Sequence, residues 1–560
     1  MKLRKKLTQF CMMIVLAAII LSACSKSGNT NNEPDTTNST VGTETGEDPV
    51  SPAGQLPITK EKTTIRVMVP ANSVVEDFAT NEFTKYLEEK TNIHIEWDVI
   101  PSTSAAEKLN LVMSSGEDLP DVIMGFGVSS AQQMIYGSQG VILPLNSMID
   151  KYGFETKKMF EQMPVVKDTI TSPDGNIYAL PHTNECFHCT LPRRMWIYQP
   201  WLDKLGLAMP TTTDEYYEVL KAFKENDPNG NGKADEIPMS GSPTGFYASI
   251  DSFLMNAFIY NPGGDRLYLQ EGKVVVPFDK PEWREGLRFL NKLYEEKLLD
   301  PQALTQDENQ LKQLGENPDI AILGATSGMH MGVFSEFYGA SNRWLEYKTI
   351  PPLKGPNGVQ IAPFEAYHLV GGGSYLITKS SKHPEAAFRL ADYLYNEEVT
   401  LRSVIGRPGT EWVKAEEGEV GINGKPAVWK QIADWGQVQN FNWGQTGPSL
   451  RTNDLRLGEV ANPDKPLEIV MYEEAKTKYE PYKQELENVL PPLFFTNDQA
   501  IEIADMSKTI NDYVNEMIAR FVIGDADLDK DWDVYLDNLQ NMRLENYLSI
   551  YQDVFDSKYK

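Results

Sequence analysis

Thr64-Ile65-Arg66-Val67-Met68-Val69, closed by Pro70, reads as a buried strand: apolar and β-branched side chains run almost unbroken until an imino ring ends the ladder. Phe83, Tyr86, Leu87 and Lys90 then follow helical spacing, with Asn92 as the stop. Ile93 to Ile100 alternates as a second strand, and Leu109, Val112 and Met113 share one face of a second helix. Asp121-Val122-Ile123-Met124-Gly125 is a third strand, and Val141-Ile142-Leu143-Pro144-Leu145 a short edge piece. Strand–helix–strand alternation defines an α/β class, with a mostly parallel sheet covered by helices on both faces. Ligands of such sheets sit beyond the carboxyl ends of the strands, which makes Pro70-Ala71-Asn72 and Gly125-Phe126-Gly127 rim loops.

Outside this stretch, the 560 residues allow two or more lobes, each with its own core. The 52 Lys and Arg stand against 79 Asp and Glu, a net charge of −27 that disfavours a nucleic-acid partner. Four cysteines are too few for a disulfide scaffold.

Residues 1–23 have the layout of a signal peptide: Lys2, Arg4, Lys5 and Lys6, then an apolar run from Phe10 to Leu21. The run ends Leu21-Ser22-Ala23-Cys24, a lipobox in which Cys24 becomes a diacylated N-terminus. Two acyl chains anchor a protein stably to a membrane, so the expected location is the outer face of the cell membrane. Residues 24–59, rich in Ser, Thr, Asn, Gly and acids, read as a disordered tether.

Past Tyr178-Ala179-Leu180-Pro181, Met195-Trp196-Ile197-Tyr198 is a strand. Thr211-Thr212-Thr213-Asp214-Glu215 opens a helix with Tyr216, Val219, Leu220 and Phe223 on one face. The sharpest local motif follows within residues 227–238. Asp227, Asn229 and Asn231 occupy loop positions 1, 3 and 5, Gly232 position 6 and the Lys233 carbonyl position 7, as in a calcium loop. Alternate oxygens must converge on one hard cation, which demands this spacing. Position 12 is Pro238 rather than Glu, so Asp235 and Glu236 would close the site, and calcium would be structural.

The lipobox, the segment Trp196-Ile197-Tyr198-Gln199-Pro200-Trp201-Leu202-Asp203-Lys204-Leu205-Gly206, the loop ending Asp235-Glu236-Ile237-Pro238, and Phe521-Val522-Ile523-Gly524 with Trp532 resemble one family. It is the extracellular solute-binding lipoproteins of ABC importers, of the family-1, sugar-binding type. The resemblance covers nearly all of residues 60–560. It implies a two-lobed periplasmic-binding-protein-like fold with discontinuous lobes and an inter-lobe hinge, a monomer that delivers cargo to ABC permease subunits. Lobe one would take 60–180 plus 350–395, and lobe two 181–349 plus 396–560. It also implies calcium at Asp227, Asn229, Asn231, Lys233, Asp235 and Glu236.

A carbohydrate offers C–H faces and hydroxyl edges, so aromatic rings beside polar groups are the expected cleft lining. The candidates are Phe126, Tyr178, Arg194, Trp196, Tyr247, Tyr367, Trp412 and Trp443, each also open to the reading that it packs in a core. Cys186-Phe187-His188-Cys189 could be a local disulfide, two free thiols or half of a zinc site. Gly371-Gly372-Gly373 lacks the Lys-Ser/Thr of a phosphate loop and reads as close strand packing or a hinge-side turn. The competing functions are capture of a peptide or other non-sugar solute, a surface glycosidase built on two carboxylates, and a sensor that reports occupancy to a membrane kinase.

Overall fold

The structure, a computed structural model, describes residues 48–337, 339–367, 369–433 and 437–560. The expected signal peptide and Cys24, the expected acylation site, lie outside these residues. No helix among the described residues is long and apolar enough to cross a membrane.

Strands run in chain order as β1 (Thr63–Pro70), β2 (Ile93–Ile100), β3 (Val122–Met124), β4 (Leu180–Asn184), β5 (Met195–Tyr198), β6 (Ile237–Ser240), β7 (Tyr268–Gln270) and β8 (Lys273–Val275). They continue as β9 (Leu323–Ser327), β10 (Tyr347–Ile350), β11 (Val370–Ile377), β12 (Trp412–Lys414), β13 (Trp429–Gln431) and β14 (Ser449–Arg451). A six-stranded sheet has the order β14-β4-β11-β3-β1-β2, and a four-stranded sheet the order β10-β5-β9-β6. β7 with β8 and β12 with β13 form separate hairpins.

The first sheet is covered on both faces, as its near-continuous apolar strands require. Ile65, Val67 and Val69 of β1 enter a core with helix Pro384–Leu394, whereas Met68 enters another with helix Ala105–Ser115. β3 divides the same way, Val122 and Met124 on one side and Ile123 on the other. β1 runs parallel to β2 and β3, but β11 is antiparallel to β3 and β4. β11 arrives from β10 in the second sheet without a crossover helix, so nothing compels it to run parallel. Gly373 lies at φ +65, and a Cβ there would meet the Val128 backbone at 2.0 Å, so the triple glycine serves close packing at a register shift in β11.

Three expectations change. The edge piece at 141–145 contracts to one bridge, Ile142 to Thr378, because Pro144 cannot donate to a ladder. The tether ends before 59: Val50 and Ile58 are buried in the first core. Arg389 also donates to the carbonyls of Ser51, Pro52 and Gln55, which fixes the last part of that segment. Finally, residues after 395 do not all join the second lobe. Val399 and Trp443 pack in the first core, and β14 extends the first sheet by pairing parallel with β4. The two sheets are therefore joined by residues 185–194, 351–369 and 452–466.

The second core gathers Trp196, Trp201, Tyr216, Phe223 and Trp283 with the C-terminal helices Asn497–Ile523, Trp532–Asn541 and Leu544–Tyr559. The Thr cap is met by a capping box: the Thr212 hydroxyl accepts from the Glu215 amide at 3.1 Å, and the Glu215 carboxylate accepts from the Thr212 amide at 3.2 Å.

Candidate functional site

Where two of the joining segments, 185–194 and 452–466, pass, a cavity of about 310 Å³ takes its walls from strands of the first sheet and from the loop after β9 of the second. β4 supplies Asn184, the turn Phe187–Thr190 supplies His188 and Cys189, and the loop after β9 supplies Met329 and His330. β13 contributes Trp429 and Gln431, β14 contributes Arg451, and helices Asn453–Leu457 and Leu467–Glu474 contribute Arg456, Glu468 and Met471. One wall carries rings in sequence: Phe246 lies 6.2 Å from His330, which lies 5.4 Å from Phe337. Phe246 is 46% exposed, so part of its ring is open to the cavity.

The same cavity is lined by a set of charges. Arg456 donates to Glu468 at 2.8 Å and to Asn184 at 3.1 Å, and Arg451 donates to Gln445 at 2.6 Å. Burial opposes charge on Glu468, yet the Arg456 and His188 side chains draw its pKa down to about 2. Glu459 shows the reverse: burial, and then the Glu468 charge, push it up to about 8, so at neutral pH it holds a proton that it can donate to a hydroxyl. Burial holds His188 down at about 3 and His330 at about 4, so both imidazoles are neutral. His182, whose ring nitrogen faces the Ser449 hydroxyl at 2.9 Å, is also depressed by burial to about 4.

These shifts fix a pH response. Three imidazoles with folded pKa values below 6.5 take up protons first in the unfolded chain, so their stabilisation is full above 6.5 and is lost as pH falls toward about 4. Glu459 opposes this between 4.5 and about 8, because there the folded state holds the extra proton. The melting temperature is therefore expected to rise from pH 4 to about 6.5 and to decline slightly toward 8; scanning calorimetry across that range checks it, and a flat profile would contradict it.

Two further cavities share lining residues with it. One, about 370 Å³, is bounded by Val74, Gln439 and Asn442. Another, about 550 Å³, is bounded by Ala71, Asn72, Gly125, Gly127 and His182, so both predicted rim loops face open space. Gln445, at φ +66, borders all three.

Most of the predicted contact residues are elsewhere. Trp196 is fully buried in the second core, its indole donating to the Gly328 carbonyl at 2.9 Å. Trp443 is held in the first core between Phe83 and Trp97 and donates to the Thr84 hydroxyl. Trp412 packs in a small cluster with Trp429 and donates to the Gly406 carbonyl. Tyr178 is buried beneath the first sheet, its hydroxyl donating to Asp174 at 2.6 Å, and Phe126 packs on the same cluster. Each indole or phenol found a partner inside, which lets a ring with one polar atom sit in a core. Arg194 is fully buried behind the cavity and donates to the carbonyls of Met329 and His188, so it braces the wall without lining it. Tyr247 and Tyr367 do face open space, in a further cavity beyond Phe246. Sequence reading missed Phe246, His330, Trp429 and the Arg451–Glu468 group; they come from distant segments, and only the ring-plus-polar composition of each hinted at a surface role.

Cys186 and Cys189 form a disulfide, so neither offers a thiolate to zinc. The loop at 227–236 is curled as its spacing predicts. Asp227 lies at φ +45 and accepts from the amides of Gly230, Asn231 and Gly232. Asn231 accepts from the Lys233 amide at 2.7 Å, and Asn229 and Asn231 both donate to Asp235. Burial, then the charges of Asp227 and Asp235, push the Glu236 carboxyl up. Among the described residues no lysine or arginine side chain forms an ion pair with these three acids.

With this geometry in hand, likeness to known proteins is informative. Residues 71–400 match the family model for bacterial extracellular solute-binding proteins. FusA of Streptococcus pneumoniae, a fructooligosaccharide ABC transporter substrate-binding protein, is 31% identical over 512 residues, which cover 89% of this chain and 91% of FusA. The lipoprotein LipO of Bacillus subtilis is 28% identical over 396 residues, 69% of this chain and 68% of LipO. Two FusA structures, one with kestose and one of an EF-hand mutant with fructo-nystose, superpose with a TM-score of 0.74 at 28% identity, covering 88% of this chain and 99% of each. The chain belongs to the bacterial extracellular solute-binding proteins, a family of binding components and not of enzymes.

Proposed function

We propose that this protein captures an oligosaccharide between two lobes and delivers it to an ABC permease, standing on the outer face of the membrane through a diacylated Cys24. The observation that carries the reading is the cavity between the sheets, lined both by a row of rings, Phe246 exposed among them, and by a fixed set of amide, carboxyl and guanidinium edges. Ring faces suit sugar C–H groups, and the polar edges suit hydroxyls. The likeness to FusA adds support.

The lobes correspond to residues 60–184 plus 370–395 and to 195–350 plus most of 396–560; β4 at 180–184, and β14 with its approach, belong to the first. The joining segments at 185–194, 351–369 and 452–466 serve as the hinge, as closure of two bodies on a guest requires. Asp227, Asn229, Asn231, Lys233, Asp235 and Glu236 hold a structural calcium ion: the donors are all oxygens, and Glu236, pushed up by burial and by the charges of Asp227 and Asp235, is the group a hard cation would relieve. The ion neutralises and stiffens this loop and takes no part in the cleft.

Phe246→Ala is the direct test. Truncating this exposed ring is expected to weaken saccharide binding by about 1–2 kcal/mol in titration calorimetry. The melting temperature should hardly move, because an exposed side chain supports little of the fold. Unchanged affinity would remove the ring wall from the site, and tight peptide binding with no saccharide response would favour the non-sugar cargo.

A further inference from the structure

Beyond Phe246 lies a second cavity, about 690 Å³, whose walls include Tyr247, Tyr260, Phe364, Glu365 and Tyr367. Phe246 belongs to the walls of both cavities. The ring wall does not stop there: Tyr247 meets Phe246 edge-on at 4.7 Å, so four rings, Tyr247, Phe246, His330 and Phe337, step from one cavity into the other.

The backbone at Tyr247 is at φ +59, a left-handed conformation that a bulky side chain adopts only when its surroundings hold it there. Those surroundings are built. The Tyr247 hydroxyl donates to Glu365 at 2.8 Å, and the Arg193 guanidinium lies 4.8 Å over its ring. Arg193 is itself buried and donates to the Pro262 carbonyl at 2.9 Å and to Glu365 at 3.3 Å. A Cβ on Gly263 would overlap Arg193, so the chain leaves room for that side chain. The result is a fixed ring beside a fixed ion pair, the same two kinds of surface that the first cavity presents. Strain of this kind concentrates at sites that position a side chain for a ligand.

We infer that this second cavity is a distal saccharide subsite, continuous with the first across Phe246, and that it makes the protein select for oligosaccharide length. The inference rests on the reading that the first cavity takes a saccharide. A short oligomer fills the first cavity alone, while a longer one crosses Phe246 and stacks on Tyr247, with hydroxyls set against Arg193 and Glu365.

Titration calorimetry with two series, fructo-oligosaccharides and xylo-oligosaccharides from disaccharide to hexasaccharide, tests this on the full mature chain. The wild type is expected to bind the longest member of a recognised series about tenfold tighter than its shortest bound member. In Tyr247→Ala that ratio should fall close to unity. Leu490→Trp, which fills the cavity from another of its lining positions, should do the same, and it keeps the test decisive if the tyrosine variant does not fold. Binding of either series without any gain for length, or the same gain in both variants, would overturn the distal subsite and leave saccharide capture intact. Binding of neither series would overturn both.

Discussion

Trp196→Ala is expected to lower the free energy of unfolding by about 3–5 kcal/mol, the usual range for deleting a large aromatic from a packed core. Trp196 is 0% exposed in the centre of β5, flanked across the sheet by Thr326 of β9 and Thr349 of β10. Its ring lies 6.3 Å from that of Phe334, and its indole N–H satisfies the Gly328 carbonyl. The alanine variant leaves a cavity and also strips that buried carbonyl of its donor, a second cost. Urea unfolding monitored by circular dichroism reads the loss. Any weakening of saccharide binding should track the folded fraction; an affinity loss with unchanged stability would place Trp196 at the ligand after all.

The second large effect concerns calcium. A ligand that binds only the folded state at about a hundred times its dissociation constant adds about 2.7 kcal/mol of stability. EDTA is therefore expected to lower the melting temperature of the wild type, and added calcium to restore it. Asp227→Ala should melt at the EDTA-treated temperature with or without the ion, because Asp227 alone closes three backbone amides of the loop. Cargo affinity at a temperature where both forms are folded should match the wild type, since none of the loop's residues lines the cleft. A melting temperature indifferent to EDTA would remove the metal.

The sequence-based picture succeeded where short-range pattern governs. β1, β2 and the helix between them follow from periodicity and from the stop at Asn92, which is left-handed at φ 61. The curl of the loop at 227–236 was legible for the same reason: its polar side chains are close in the chain and bond to the loop's own amides. The cleft was not. Asn184, His330, Trp429 and Glu468 meet only because the chain passes between the two sheets, and no local pattern encodes that meeting. Tryptophan misled most, since Trp196, Trp412 and Trp443 have the composition of a sugar platform and the burial of a core. What separates them from Phe246 is a hydrogen-bond partner for the indole inside the fold. The ordered end of the tether escaped notice because two apolar residues, Val50 and Ile58, were enough to dock it once Arg389 supplied donors to its carbonyls.

Injection of purified protein with an oligosaccharide it recognises, followed in a titration calorimeter, probes reversible capture most directly. Discrete heats that saturate at one equivalent and return to baseline after each addition are the predicted result. Sustained heat that continues at saturation would signal turnover of the sugar, and a flat trace for every saccharide would show that the cleft was made for something else.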